Sequence, residues 1–176
     1  IRRSLVKHIL HAQKRVWIAV PYFVPSRKFR SKLALCAARG VDTRLLLPGP
    51  LTDNLASRYM AHRYYKKLLK NGVKIYEYQP RFIHAKIFIA DDWCSIGSSN
   101  LDRWNLIWNL DANQEIYHAE FTAEVAQLFE KDFVHCKIFD LETWQNRPLR
   151  ERSAEKFWGY IMHLLSRFSR NADRPR

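Results

Sequence analysis

The stretch IHAKIFIADDWCSIGSSN, residues 83–100, predicts two strands joined by a tight turn. Apolar and β-branched residues dominate Ile83–Ala90 and Trp93–Ile96, which is typical of buried strands. Asp91 and Asp92 stand between them, and aspartate favours turns. We therefore predict a β-hairpin centred on residue 91.

The same hairpin brings chemically active side chains together. Residues two apart on a strand point to the same face, so His84 and Lys86 are expected to project together. The second strand runs into Gly97-Ser-Ser-Asn100, where a glycine permits close approach of another backbone. The amide of Asn100 is then expected beside the His/Lys pair.

Helices and strands alternate on both sides of this hairpin with short connections, which predicts an α/β fold. We expect a mixed, mostly parallel sheet flanked by helices over residues 1–139, and a basic amphipathic helical tail over residues 140–176. Helices are predicted over Ser4–Gln13, Arg27–Arg39, Leu55–Lys70 and Phe121–His135, and strands over Arg15–Val20, Val41–Leu47, Val73–Tyr78 and Asn113–His118. In the tail, apolar residues of Leu149–Ser169 share one face.

Composition narrows the classes of function. The net charge of +13 favours nucleic acid, an anionic lipid surface or a phosphorylated substrate as the partner. The three cysteines form no C-x-x-C pair, so neither a disulfide framework nor a zinc site is indicated, and a reducing compartment is expected. The sequence begins with Ile1 and has no run of about 18 apolar residues, so we expect a piece of a longer protein.

The hairpin residues suit chemistry on phosphate esters. A neutral imidazole can attack phosphorus and form a covalent intermediate. An ammonium group and preorganised amide donors stabilise charge on the non-bridging oxygens. This chemistry needs no metal, and no acidic cluster is spaced to hold one, so we expect no cofactor.

The residues His84, Lys86 and Asp91 resemble the H-x-K-x4-D signature of the phospholipase D superfamily, and Gly97-Ser-Ser-Asn100 resembles its G-S-x-N element. Five residues separate Asp91 from Gly97, one fewer than is usual in the family. Further segments are similar to the second half of bacterial cardiolipin synthases: Pro21–Pro25, Arg39–Pro48, Gly72–Pro80 and Leu141–Trp144.

The resemblance implies roles for individual residues. His84 would be one of two catalytic histidines, either the nucleophile or the general acid. Lys86 and Asn100 would hold the phosphoryl oxygens, with Ser98 or Ser99 assisting. Asp91, a signature residue, would act as a structural hydrogen-bonding group at the end of its strand rather than as a proton carrier.

Three further residues are candidates for the site. In the family an acidic residue after G-S-x-N orients the histidine, and the pattern stands here as Asn109-Leu-Asp111, with Asp in place of the usual Glu. Glu115, on the same strand parity, is the competing candidate. Tyr22 follows the first strand, where ligand sites of α/β proteins often lie, although ordinary packing accounts for it equally well.

The sequence leaves three hypotheses for function. The first is a phosphatidyltransferase of cardiolipin synthase type, working through a phosphohistidine, with an anionic phospholipid or membrane surface and an N-terminal half or second copy as partners. Such a protein would lie peripherally on the cytoplasmic face of a bacterial membrane. The second is a phospholipase D-type nuclease that acts on nucleic acid as a homodimer. The third is an isolated, non-catalytic half.

Overall fold

The computed structural model describes residues 2–101 and 110–148, together with residues 152, 153, 157 and 160. In chain order the elements are α1 (Arg2–His11), β1 (Arg15–Ala19), α2 (Arg27–Ala38), β2 (Asp42–Pro48), α3 (Leu55–Lys70), β3 (Lys74–Tyr78), β4 (Ile87–Ala90), β5 (Trp93–Gly97), β6 (Asn113–Tyr117), α4 (Ala119–Phe133), β7 (Cys136–Phe139) and α5 (Leu141–Gln145).

One seven-stranded sheet, in the order β6-β5-β4-β1-β2-β3-β7, forms the centre of the fold. The pairings β1–β2 and β2–β3 are parallel. The other four pairings are antiparallel, so the mixed α/β class is confirmed but the share of parallel pairs is lower than the sequence indicated. The hairpin at residue 91 is confirmed as β4–β5, with Asp91 at φ 51° in the turn.

The strand β7 was missed in the sequence. Its four residues, CKIF, directly follow the predicted helix, which ends at Phe133 rather than His135. A segment this short carries too little alternation to be distinguished from a loop. Pairing with β3, from Ile75↔Phe139 to Tyr78↔Cys136, is what makes it a strand.

Alternating strand residues bury two separate cores. Leu45 and Ile75 point to the face covered by helices α1, α2, α3 and α5. Leu46 and Tyr76, one residue along each strand, point to the face covered by α4. The result is a three-layer structure in which every central strand is buried on both faces, as expected for a sheet with crossover helices.

A glycine follows each of the two crossover helices, α2 and α3. Gly40 and Gly72 follow α2 and α3 with φ of 89° and 87°, a conformation that glycine adopts without a steric penalty. The short helix α5 is capped by a side chain, because the Asp140 carboxylate accepts from the backbone N–H of Thr143. The predicted helix Leu149–Ser169 lies largely outside the described residues.

The parallel strands β1, β2 and β3 all end at the same edge of the sheet. From this edge emerge three loops, over residues 20–26, 49–54 and 79–86. Loops at the carboxyl edge of such strands are where α/β folds place their ligand sites. The third of these loops carries His84.

A buried polar cluster ties α3 to β3. Glu77 is completely buried, and its carboxylate contacts Arg58 (2.7 Å), His62 (2.7 Å) and the Tyr65 hydroxyl (3.1 Å). Burial opposes ionisation of Glu77, but His62 and Arg58 outweigh it, so the pKa of Glu77 lies below its usual value. Trp144 of α5 packs edge-on against His62, so the cluster also anchors the start of the tail.

Candidate active site

His84 and Lys86 lie in an extended segment just before β4, which begins at Ile87 rather than at the predicted Ile83. The hydrogen bonding with β5 extends back to Lys86, because the Gly97 N–H donates to the Lys86 carbonyl at 3.2 Å. Beyond that bond the chain leaves the sheet for the loop after β3. The segment therefore keeps an extended form while exposing its side chains at the edge.

The His84 imidazole is exposed and lies among aromatic rings. Phe82 stacks on it with ring centroids 5.4 Å apart and planes inclined by 26°. Tyr22, from the loop after β1, lies 6.2 Å away, and its hydroxyl donates to Asp53 Oδ2 at 2.6 Å. Residues from all three carboxyl-edge loops thus meet around His84. Tyr22 is one of them, and its part in binding stays a prediction.

The Lys86 ammonium is partly buried beside His84. Its Nζ donates to the His84 carbonyl oxygen at 3.3 Å. Burial lowers the pKa of Lys86, while the carboxylates of Asp111 and Asp53 act in the opposite direction. A cation held between two loops in this way can meet an anionic group without a large rearrangement.

The turn after β5 is fixed by hydrogen bonds to the segment that leads into β6. Ser98 Oγ donates to Asp111 Oδ1 (3.2 Å) and Ser99 Oγ donates to Asp111 Oδ2 (3.4 Å). The Ala112 N–H donates to Ser98 Oγ (3.0 Å), and the Ser98 N–H donates to the Ala112 carbonyl. The Asp111 carboxylate therefore binds both serines, and it lies close enough to Lys86 to act on the pKa of the ammonium, in the upward direction.

Gly97 is required for this close approach, as its sequence position suggested. A Cβ at residue 97 would collide with the Ala112 carbonyl oxygen and with Asn113 Oδ1. Asn113 Oδ1 accepts from the Ser99 N–H (3.2 Å), and its Nδ2 donates to Ser95 Oγ (2.9 Å). Any side chain at position 97 would force β5 and β6 apart at the end nearest the site.

Asn100 follows this turn with its side-chain oxygen buried. Within residues 2–101 and 110–148, no donor reaches Asn100 Oδ1. A buried acceptor without a donor is rare in folded proteins because its desolvation is not compensated. The place of the Asn100 amide beside His84 and Lys86 stays a prediction from the sequence.

Asp91 lies at the other end of β4 from Lys86. Its carboxylate accepts three backbone N–H bonds, from Gln13 (2.8 Å), Lys14 (2.8 Å) and Arg15 (3.0 Å). Burial opposes its ionisation, but these donors outweigh burial and lower the pKa of Asp91. These are the bonds of a structural hydrogen-bonding group, and β4 lies between Asp91 and Lys86; the role of Asp91 stays a prediction.

The two candidates for orienting His84 have other partners. Asp111 is bonded to Ser98 and Ser99, and Asn109, in the same sequence pattern, lies outside the described residues. Glu115 Oε2 accepts from Ser4 Oγ of α1 at 2.5 Å, on the helix-covered face. Glu115 is therefore engaged by α1, whereas Asp111 is engaged by the two serines and lies near Lys86; which residue orients His84 stays a prediction.

Two residues near His84, Asp53 and Phe82, were not singled out from the sequence. Asp53 follows the Pro-Gly-Pro segment after β2, and Phe82 stands two residues before His84. Their positions in carboxyl-edge loops are the signal that could have identified them, given the strand order. Within the described ranges, no group of three or more His, Cys, Asp or Glu side chains is placed to hold a metal ion.

Comparison with known proteins identifies the family of the chain. Residues 5–133 match the family described as "Cardiolipin synthase, PLD-like domain", and the chain belongs to that family. It is 36% identical over 166 residues to a cardiolipin synthase of Geobacillus kaustophilus, covering 94% of this chain and 33% of the relative. It is 35% identical to cardiolipin synthase 1 of Bacillus anthracis, covering 94% of this chain and 32% of the relative. The chain thus spans about a third of the length of the curated relatives it matches.

Solved structures share the fold. Phosphatidylserine synthase of Haemophilus influenzae superposes with a TM-score of 0.69 at 17% identity, covering 97% of this chain and 42% of that one. The phospholipase D family member Nuc of Salmonella typhimurium superposes with a TM-score of 0.66 at 17% identity, covering 79% of this chain and 90% of that one. At this level of identity, both comparisons show similarity of fold alone.

Proposed function

We propose that this chain supplies one half of the active site of a phosphatidyltransferase of cardiolipin synthase type. The observation that carries the proposal is the meeting of His84, Lys86 and the Gly97–Asn100 turn at one edge of the sheet. Membership of the cardiolipin synthase family supports a phospholipid as the substrate. His84, Lys86, Asn100, Ser98 and Ser99 form the proposed catalytic and phosphate-binding set.

The proposed reaction has two displacement steps. In the first, an imidazole nitrogen bonds to phosphorus of a phospholipid phosphodiester, and the bond from phosphorus to the headgroup oxygen breaks. A second imidazole gives that oxygen its proton. In the second step the hydroxyl of an acceptor lipid attacks the phosphohistidine, gives its proton to the same second imidazole and releases the first. His84 takes one of these two roles.

The remaining side chains stabilise charge during both steps. Lys86 offsets negative charge on the non-bridging oxygens, and the Asn100 amide adds a donor beside it. Asp111 keeps Ser98 and Ser99 in position while limiting the loss of proton affinity at Lys86.

The second imidazole is proposed to come from an N-terminal half of the same protein or from a second copy of the chain. The fraction of each relative that this chain covers leaves room for such a half. We further propose that residues 1–139 are the catalytic half domain and residues 140–176 an appended tail, and that the protein works peripherally at the cytoplasmic face of a bacterial membrane. Within the described residues, no helix is long and apolar enough to cross a bilayer.

The test compares His84→Ala with His11→Ala in the protein of full natural length. His11 is also exposed, but it ends α1 and precedes the amino end of β1, at the opposite edge of the sheet from His84. Each protein is given phosphatidylglycerol, and cardiolipin and glycerol are measured. We expect His84→Ala to lose at least about a thousandfold in rate, because members of a catalytic set are strongly non-additive. Equal rates for the two variants would refute the proposal.

The net charge of +13 supports one alternative, cleavage of nucleic acid by two paired copies of the chain. The same two variants distinguish it. If DNA is cut in a His84-dependent, salt-sensitive manner and phosphatidylglycerol is left unchanged, the alternative replaces the phosphatidyltransferase.

A further inference from the structure

The helices α2 and α3 form a face with an unusual charge. The sequence RKFRSKLALCAA of α2 contains four Lys or Arg residues, and LASRYMAHRYYKKLLK of α3 contains five. Neither helix contains Asp or Glu. Helix α4, which covers the opposite face of the sheet, instead has four acidic residues and one lysine in AEFTAEVAQLFEKDF. The positive charge is therefore concentrated on the α2–α3 face.

A cleft of about 130 Å³ lies between α2 and α3. Its polar lining consists of four cations, a hydroxyl and a phenol, namely Arg27, Arg30 and Ser31 from α2 and Arg63, Tyr64 and Lys67 from α3. It shares no residue with the His84 site, so it is a separate feature of the molecule.

One cation of the cleft is held in place by its neighbours. The Arg30 guanidinium lies over the Tyr64 ring, 3.7 Å from its centroid. Its Nη1 donates to the Pro25 carbonyl at 2.5 Å. A guanidinium fixed in this way loses little further conformational freedom when it binds an anion. Its planar fork of N–H donors also matches the spacing of phosphate oxygens.

Apolar side chains accompany the cations. Leu35 of α2, four residues after Ser31, is 52% exposed, and Leu55, at the start of α3, is 51% exposed. Cations interspersed with exposed leucines are the composition of a surface that enters the headgroup region of a bilayer. A groove for nucleic acid would instead place aromatic rings where bases stack, whereas Tyr64 is already covered by Arg30.

We propose that the α2–α3 face docks on the surface of an anionic phospholipid bilayer, and that the cleft takes one lipid phosphate distinct from the phosphate at His84. The inference rests on the proposed function, because that function requires the protein to work where its lipid substrate lies. Both helices begin at the carboxyl edge of the sheet, beside the loops that carry Tyr22 and Asp53. Docking through them keeps the active-site edge close to the lipid.

The test measures partition of the 176-residue chain onto vesicles of phosphatidylglycerol and phosphatidylcholine. The variant Arg27→Gln/Lys67→Gln removes two exposed cations of the cleft. Its matched control, Lys14→Gln/Lys131→Gln, removes two exposed cations from the other end of β1 and from α4. Circular dichroism establishes that both variants are folded. Because a cation near an anionic bilayer contributes about fivefold in partition, the cleft variant should bind roughly 30-fold more weakly than the control.

Each outcome decides the proposal. Strong binding to mixed vesicles, weak binding to pure phosphatidylcholine and selective loss in the cleft variant support it. Equal losses in the two variants would show that only net charge matters and would overturn it. Selective loss of binding to duplex DNA, with vesicle binding unchanged, would overturn it in favour of nucleic acid. His84→Ala should still bind vesicles, so failure of docking is distinguishable from failure of the phosphatidyltransferase proposal.

Discussion

Replacing Asp91 with Asn tests whether this signature aspartate acts through the fold alone. Oδ1 of Asp91 accepts from the Lys14 and Arg15 N–H groups, and Oδ2 accepts from the Gln13 N–H. An asparagine oxygen can keep the first two bonds, but its amide nitrogen would face the third N–H and cannot accept from it. Asparagine also tolerates the φ of 51° at this position, so backbone strain does not contribute.

The expected loss follows from that single bond. A hydrogen bond to a charged group contributes about 1.5–3 kcal/mol, and these bonds are partly solvated, so Asp91→Asn should lower the free energy of unfolding by about 2 kcal/mol. In a chain of this size that corresponds to a fall of about 4–8 °C in Tm. Asp91→Ala loses all three bonds and places alanine at a positive φ, so we expect at least about 4 kcal/mol.

The effect should also depend on pH in a defined direction. The pKa of Asp91 is lower in the folded chain than its usual value, because three backbone N–H groups bind the carboxylate. A carboxyl group with a lowered folded pKa stabilises the fold above its unfolded pKa and loses that contribution as the pH falls through the folded pKa. The stability difference between the natural chain and Asp91→Asn should therefore be constant above about pH 5 and shrink below pH 4.

Urea unfolding of the 176-residue chain measures the stability, and turnover per folded molecule of the full natural protein measures the activity. We expect the activity to change less than threefold. If the free energy of unfolding of Asp91→Asn lies within about 0.5 kcal/mol of that of the natural chain, the hydrogen-bond argument is refuted. A folded Asp91→Asn protein that loses turnover by a hundredfold would show that Asp91 takes part in the reaction.

Two further changes test the packing around the site and the buried cluster. Gly97→Ala should lower the free energy of unfolding by about 3 kcal/mol, because the new Cβ collides with the backbone at the start of β6. Urea unfolding measures this loss, and a value below about 1 kcal/mol would contradict the close approach of the two strands. Glu77→Gln should lower the free energy of unfolding by about 3 kcal/mol, because Arg58 and His62 lose a buried charge partner. The control Glu130→Gln, which breaks an exposed ion pair, should lower it by less than about 1 kcal/mol. Equal losses in the two variants would contradict the contribution assigned to burial.

The sequence was sufficient for the local elements whose signals are chemical. Gly40 and Gly72 end their helices, and Asp91-Asp92 forms the hairpin turn, because these residue types stabilise backbone conformations that others adopt at a cost. Strand order was not accessible in this way. The position of β7 beside β3 depends on a pairing between residues some 60 apart, which no local pattern encodes.

The candidate site divides in the same manner. His84, Lys86 and Asn100 were identified because their spacing places them on one hairpin. The partner of Asp111 could not be predicted in this way. A carboxylate that follows G-S-x-N can reach either the histidine or the serines, and only the geometry of the turn determines which one it binds. Glu115 shares a strand parity with the site, but α1 covers that face and Ser4 binds it. Tertiary packing, not residue type, determines this partner of Glu115.

The distribution of charge across the sheet gives the domain an electric dipole moment normal to its layers. Helices α2 and α3 contribute only positive side chains on one face, and α4 contributes mostly negative ones on the other. In the field of any extended anionic surface, such a body experiences a torque as well as an attraction. Random tumbling would then be biased before contact, so that most encounters begin with α2 and α3 leading. The rate of productive encounter should accordingly fall with ionic strength more steeply than for a protein whose charge is spread evenly.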